Sequence, residues 1–293
     1  MKTLGFIGTG GMGSGMASNL IKAGYRLFVT DLRREVTRKL ESQGAQFKNS
    51  PRAVAEASEL VLSMLPYNEA VEQVGLGKDG LLEATTGARL WIDCSSIDKK
   101  TIVGVNQQMQ KKGWEILDAS AGGVEEAAAA GTLSLWVSGP KNLFEENQPI
   151  LQPMGKKIVH VGGLGNAKLV KTGMAMLAAI QHMGMAEIFN WLKKGDVSEE
   201  TFQNVLRNSQ VHSEAVERMC QTLVSRKFKP RKSWMPKDVG FGLQIAKSME
   251  VPVPFSALAD QLFSVAQARG LDGYEATGIA YHVFELIGGQ KNG

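Results

Sequence analysis

One stretch, Lys2 to Asp31, limits what this chain can fold into more than any other. It reads KTLGFIGTGGMGSGMASNLIKAGYRLFVTD. Lys2 to Ile7 is a short apolar run of strand type. Gly8, Gly10 and Gly13 then make G-x-G-x-x-G. Ser14 to Ala23 is predicted as a helix with Met16, Leu20 and Ile21 on one face, stopped by Gly24. Tyr25 to Thr30 reads as a second strand, ending at Asp31. A strand, a glycine turn, a helix and a second strand with an acid at its end form the dinucleotide-binding fingerprint. Gly8 allows the tight turn, Gly10 lets a pyrophosphate approach the backbone, and Gly13 lets helix and strand pack closely. Helix N–H groups around Gly11 and Met12 then face the phosphates, helped by the helix dipole. A glycine-rich turn without a ligand is the alternative, and the agreement of all four elements argues against it.

Composition excludes several other functions. The 293 residues are enough for two domains, and 43% hydrophobic content permits a full core. A net charge of +4 is mild. The nearest thing to a basic block, Lys227 to Lys232, reads as a solvated loop, so no nucleic-acid partner is expected. Cys94 and Cys220 are far apart and form no C-x-x-C. They predict neither disulfide nor zinc site and fit a reducing cytosol. His160, His182, His212 and His282 make no metal-ligand pattern, so no metal is expected. The chain enters a strand directly, without a signal-peptide pattern, which points to the cytoplasm. Met174 to Met185 is strongly apolar, but Lys171, Gln181, His182 and Glu187 in and beside it argue for a buried helix, not a membrane span. Its methionines suit core or subunit contact.

Asp31 bears on the choice of dinucleotide. An acid there bonds ribose hydroxyls and repels a 2′-phosphate, which favours NAD. Arg33 and Arg34 follow it and keep NADP open. Ser50-Pro51 is a helix start. Leu60 to Leu65 is a buried strand ending at Pro66, which sets Leu65 and Pro66 beside the cofactor, since ligands bind at the carboxyl ends of such strands. Ala88 to Asp93 is another strand. Ser95 and Ser96 after it suit either the nicotinamide ribose or a helix cap. Gly113 to Asp118 is a strand leading to Ala119-Ser-Ala-Gly-Gly, where Gly122 and Gly123 can offer N–H groups to a carboxylate. Gly131 to Gly139 and Lys156 to Val161 are the last strands. Alternating strands and helices mean an α/β, doubly wound, mostly parallel sheet. From Asn166 the periodicity is helical only: one very long helix to Lys193, then Ser198–Ser209, Glu214–Ser225, Pro236–Met249, Pro254–Arg269 and Tyr274–Ile287. The expected domains are 1–163, binding NAD(P), and 164–293, all-helical.

Several motifs resemble the β-hydroxyacid dehydrogenases, a family that includes 3-hydroxyisobutyrate dehydrogenase and tartronate semialdehyde reductase. The opening FIGTGGMGSGMASNL is close to the family's F-I-G-x-G-x-M-G-x-x-M-A-x-N-L. Met64-Leu-Pro matches its M-L-P, Asp93-Cys-Ser-Ser-Ile resembles D-x-S-T-I, and Gly131-Thr-Leu matches G-T-L. Lys237-Asp-Val-Gly resembles K-D-L-G, whose lysine lies by the nicotinamide. The resemblance covers almost the whole chain. It implies a Rossmann domain with a helical domain built on one long helix, a homodimer or homotetramer, a small hydroxy acid or semialdehyde substrate, and a lysine as acid/base.

The chain departs from that pattern at two places. The family's D-x-P-V-S-G-G has its serine where this chain has Gly122; Gly123 is kept, and Ser120 replaces the lost hydroxyl only through a local shift. On the long helix the family's lysine precedes two asparagines and, later, a Glu. Counting back from Glu187 without a gap makes Lys171 the catalytic lysine. Lys168 fits only with a gap, which turns later side chains by about 100° per residue. Met174 and Ala175 stand where the asparagines belong. An ammonium there stabilises a developing alkoxide and donates its proton. In the oxidising direction it must first be neutral, although a free lysine titrates near about 10.4; Lys168 and Lys237 are the expected cationic neighbours that lower it. The reading is an NAD(P)-dependent β-hydroxy acid dehydrogenase or reductase. Decarboxylating 6-phosphogluconate chemistry is disfavoured because K-x-x-H-N-x-x-E is missing after Lys171. A reductase of imines or atypical carbonyls, or a retired nucleotide sensor, are the alternatives.

Overall fold

A computed structural model describes residues 2–231 and 233–288, so Lys232 of the basic segment lies outside it. The chain divides into two compact units, Met1–Lys171 and Thr172–Gly293. The first contains β1 (Thr3–Ile7), α1 (Gly11–Lys22), β2 (Arg26–Thr30), α2 (Arg34–Glu41), β3 (Gln46–Phe47), α3 (Pro51–Glu56), β4 (Leu60–Ser63) and α4 (Asn68–Leu76). It continues with β5 (Leu90–Asp93), α5 (Lys99–Gln110), β6 (Glu115–Gly122), α6 (Glu125–Ala130), β7 (Leu133–Ser138), α7 (Lys141–Leu151), β8 (Gly155–His160) and the first turns of α8 (Asn166–Lys194).

The strands form one sheet in the order β3-β2-β1-β4-β5-β6-β7-β8. Neighbours are parallel except β6 and β7. The order reverses direction between β1 and β4, and the carboxyl ends of such central strands are where an open α/β sheet binds ligands. Alternation along the strands feeds two cores. Leu4, Phe6, Leu62 and Ile92 join one cluster, while Ile7, Val61 and Trp91 join the other. Successive strand residues face opposite sides, so each face carries its own apolar layer against helices. Each such buried side chain is worth about 1.5–3 kcal/mol.

The expected order of strands and helices is present, with informative differences. The first helix starts at Gly11, not Ser14, so the glycine loop itself supplies its first turn. Ser50 caps α3 as expected, its side chain accepting from Ala53 N. Neither Ser95 nor Ser96 caps α5: Asp98 does, accepting from Thr101 N. The elements β3, α4, α6 and α7 go beyond the sequence reading. The three helices among them lack a side-chain cap bond, which removes the usual start signal. The first unit also runs past the expected break at 163/164 to Lys171, because the start of α8 is bonded to the sheet.

The second unit holds the rest of α8, then α9 (Glu199–Arg207), α10 (Glu214–Ser225), α11 (Met235–Ser248), α12 (Pro254–Ala268) and α13 (Ala276–Ile287). Ser198 and Ser213 cap α9 and α10. The core gathers Ala179, Met183, Ala186 and Phe189 of α8 against Ile279, Ala280 and Val283 of α13. The part of α8 in this unit keeps some apolar surface uncovered. Leu177, Ile188 and Trp191 are 48%, 46% and 68% exposed. No helix among the described residues is long and apolar enough to cross a membrane.

His182, on α8, pairs its Nδ1 with Thr277 Oγ1 at 3.0 Å. Burial lowers its pKa from 6.5 to about 4. Below pH 6.5 the unfolded chain takes up a proton that the folded unit refuses until about pH 4. Stability therefore falls as pH drops through that window, by up to about 3 kcal/mol. Denaturation curves between pH 7 and 4 should show this loss, and His182→Gln should flatten it.

Candidate active site

The site begins with one row across the sheet. Ser63, Asp93, Asp118 and Ser138 are mutual register partners on β4, β5, β6 and β7. All four have no exposed surface. The acids fall at this row because β5 and the expected part of β6 both reach the carboxyl edge with Asp. Ser63 Oγ donates to Asp93 Oδ1 at 2.7 Å, and Ser138 Oγ to Asp118 Oδ2 at 3.0 Å. Lys168 closes the row. Its Nζ lies 2.7 Å from Asp93 Oδ2 and 2.9 Å from Asp118 Oδ1, and donates to the Ser95 carbonyl at 2.6 Å. An ammonium has three donors, and all three are used. Burial opposes its charge, but Asp118 and Asp93 outweigh that and hold Lys168 above the ordinary lysine range. Burial raises the Asp118 carboxyl, with Lys168 opposing.

The row reaches two functional segments. Ser95 Oγ donates to Asp93 Oδ1 at 2.6 Å and accepts from Leu65 N at 2.8 Å, which fixes the Met64-Leu-Pro loop. On the other side the backbone N–H groups of Ala167 and Lys168 donate to Ser138 Oγ and Asp118 Oδ2, at 3.1 Å each. The start of α8 is thereby tied to the sheet. Lys171 follows one turn later and is partly exposed.

The glycine loop fits a dinucleotide. Gly8 has φ +85°, and a Cβ there would lie 2.4 Å from Met64 O. A Cβ on Gly13 would lie 1.9 Å from Gly8 O, so only glycine allows this approach. Gly10 caps α1 with no side-chain acceptor, and the first turn carries no acid. The N–H groups around Gly11 and Met12 are thus directed at an anion site. Asp31, at the end of β2, is held by Thr9 N on Oδ2 at 2.7 Å and by Arg33 N on Oδ1 at 2.9 Å. Pro66 is exposed and Ser96 partly exposed at the same sheet edge, whereas Ser95 is fully buried in the row.

The remaining expected residues divide. Gly122 ends β6, paired with Ser134, and Gly123 follows exposed with φ +140°. Ser120 does not stand in for the missing serine: it is fully buried within β6 and donates to Asp118 Oδ1 at 3.0 Å. Lys237 belongs to the second unit, on α11, with Nζ 5.3 Å from the Phe241 ring centroid. Lys168 is no free cation beside Lys171, because two carboxylates neutralise it. The Asp93–Asp118–Lys168 cluster escaped the sequence reading as a unit. Two strands ending in Asp near a helix start bearing Lys were the available signal. Among the described residues no group of three or more His, Cys, Asp or Glu could hold a metal.

Two family models match. Residues 3–162 match the NAD binding domain of 6-phosphogluconate dehydrogenase, and residues 165–282 match the NAD-binding region of NADP-dependent 3-hydroxyisobutyrate dehydrogenase. The chain is 36% identical over 286 residues to 3-hydroxyisobutyrate dehydrogenase of Pseudomonas aeruginosa, covering 93% of this chain and 96% of the relative. The chain belongs to the β-hydroxyacid dehydrogenase family. Against 2-hydroxy-3-oxopropionate reductase of Escherichia coli it is 32% identical, covering 91% of this chain and 92% of that protein. Among solved structures, the Mycobacterium tuberculosis 3-hydroxyisobutyrate dehydrogenase with L-serine superposes with a TM-score of 0.88 at 27% identity, covering 97% of this chain and 99% of that one. As a β-hydroxyacid dehydrogenase, the chain is an NAD(P)-dependent oxidoreductase acting on CH–OH groups.

Replacing Lys168 by Met leaves Asp93 and Asp118 buried without their cation. Chemical denaturation followed by Trp91 and Trp114 fluorescence should show a loss of about 3–5 kcal/mol. Adding Asp118→Asn should recover part of it by removing one of the stranded charges.

Proposed function

We propose that this chain interconverts a small β-hydroxy acid and its semialdehyde or keto form, with NAD as coenzyme and Lys171 as acid/base. The observation that carries the lysine assignment is the division of labour on α8. Lys168 spends its three donors on Asp93, Asp118 and Ser95, while Lys171 is partly exposed one turn on. The bound nicotinamide supplies the hydride chemistry. In the reducing direction the Lys171 ammonium stabilises the developing alkoxide and donates a proton from Nζ. In the oxidising direction its neutral amine accepts the hydroxyl proton. Gly122 and Gly123 offer backbone N–H groups to the substrate carboxylate. Asp31, with its two oxygens fixed by Thr9 and Arg33, supports NAD by repelling a 2′-phosphate. Leu65, Pro66 and Ser96, at the carboxyl edge of the sheet, serve the nicotinamide half.

Self-association as a homodimer or homotetramer belongs to the same reading. It is supported by large apolar side chains left exposed in the second unit, such as Trp191, Phe255 and Leu258 at 68%, 72% and 60%. The free, buried thiols Cys94 and Cys220 suit the cytoplasm.

The test is NADH and NADPH oxidation against a panel of small semialdehydes and keto acids, with wild type beside Lys171→Met. Turnover should prefer NADH, and kcat should fall about 10²–10⁴-fold in the variant while NADH binding persists. Undiminished turnover in Lys171→Met rejects the lysine, and preference for NADPH rejects the coenzyme. Tight NADH binding without turnover of any compound favours a nucleotide sensor.

A further inference from the structure

The serine missing at position 122 has a structural counterpart on the next strand. A Cβ built on Gly122 would lie 2.5 Å from Cη2 and 2.7 Å from Cζ3 of Trp136. The edge of the indole already fills the place of a side chain at 122. Trp136 sits on β7 opposite Ser120, two pairs away from Gly122 and on the same face of the sheet, and is partly exposed. The hydroxyl of Ser120 is committed to Asp118, so it offers nothing to a ligand.

This end of β6 adjoins the cofactor loop. Gly123 and Val124 lead into α6, whose first residue, Glu125, has a carboxylate oxygen 2.0 Å from where a Gly11 Cβ would be. A Cβ on Gly15 would meet the Ala129 nitrogen at 2.7 Å, so α1 and α6 touch backbone to backbone. The Gly122–Trp136 pair is therefore held next to the first turn of the dinucleotide helix. The other departures run the same way. One turn beyond Lys171, Met174 and Ala175 take the places of two amides, and Met174 is 44% exposed.

We infer that Gly122 and Trp136 form one specificity element, in which the indole edge replaces a hydroxyl and selects hydroxy acids with an apolar over a polar substituent at C2. The carboxylate is then held by backbone N–H groups alone, and the substituent lies against the indole edge. Compounds with hydroxyl or amino at C2 lose a partner there. An unpaired polar group against an apolar wall is a stronger basis for rejection than size. The inference rests on the proposed hydroxy acid chemistry and narrows its substrate.

The test compares kcat/KM for 3-hydroxypropionates bearing hydrogen, methyl, phenyl, hydroxyl or amino at C2. The proteins are wild type, Gly122→Ser, Trp136→Leu, the double variant and Ser134→Ala, with NADH titration reporting that each remains folded. Wild type should favour phenyl over hydroxyl by about tenfold or more. Trp136→Leu should erode that preference. Gly122→Ser alone should be impaired on every compound, because its side chain meets the indole. Adding Trp136→Leu should restore turnover and move the preference toward hydroxyl and amino. Gly122→Ser performing as well alone as in the double variant overturns the inference, as does a preference unmoved by the Trp136 change. Ser134 lies opposite Gly122, so a preference that moves only in Ser134→Ala also overturns it. Turnover with these unmoved preferences leaves the proposed function standing. Failure of every compound removes that function and the inference with it.

Discussion

The Lys168 ammonium, held between Asp93 and Asp118, is the interaction on which the first unit's functional edge depends. Two carboxylates at the same height on adjacent parallel strands repel, and neither is reached by water. Taking such charges out of solvent costs several kcal/mol per ion unless excellent geometry returns it. Here Ser63, Ser95, Ser120 and Ser138 satisfy the remaining carboxylate lone pairs. The cluster is better understood as a device of specificity than of net stability. It works only with one strand register and one seating of α8. A shift of β5 against β6 separates the acids, and a rotation of α8 withdraws the cation.

A second constraint, steric instead of electrostatic, fixes the other wall. Gly13 must lie on Gly8, and Gly15 must lie on the backbone of α6. Asn19 reinforces that contact by donating to Ala128 O at 2.8 Å. The alanines from 127 to 130 are therefore small for a reason: a helix crossing this close tolerates little more than a methyl group. Because α6 follows directly from Gly122 and Gly123, the spacing of α1 and α6 also sets where the end of β6 lies relative to the phosphate-binding turn. The cofactor loop and the Gly122–Gly123 segment are thus placed by one helix contact.

These two constraints explain which parts were legible in the sequence. The dinucleotide loop could be read because its chemistry is local: glycines, a helix start and an acid on the next strand all lie within thirty-one residues. Helices announced by Ser or Pro, such as α3, α9, α10 and α12, were legible for the same reason. By contrast α4, α6 and α7, whose N-cap residues are Tyr67, Val124 and Pro140, were not. The polar row was illegible because its members are separated by up to 105 residues and meet only through the register of the sheet. Lys168 was read as a charge near the chemistry, whereas its charge is spent inside the sheet. The loss of a hydroxyl at 122 could be seen in the sequence, but the indole filling its place could not, since Trp136 reaches it across a strand pair.

The departures at 122, 174 and 175 look at first like decay of an active site. The framework argues otherwise. A site released from function has no reason to keep a buried lysine with all three donors matched, and the first polar groups to go would be those that are expensive to bury. Here every buried charge at the sheet edge has its partner, and the glycines that admit a dinucleotide are present at each position where a Cβ would clash. The changes fall instead on side chains at partly exposed or exposed positions, where the family's pattern has hydroxyl and amide groups for the substrate. Coenzyme recognition in this fold is made largely by backbone and by glycine, which leaves side chains near the reacting carbon free to change. The exchange of a serine for the edge of an indole is the kind of change such an arrangement permits: it alters which molecule is held without disturbing how the hydride donor is held.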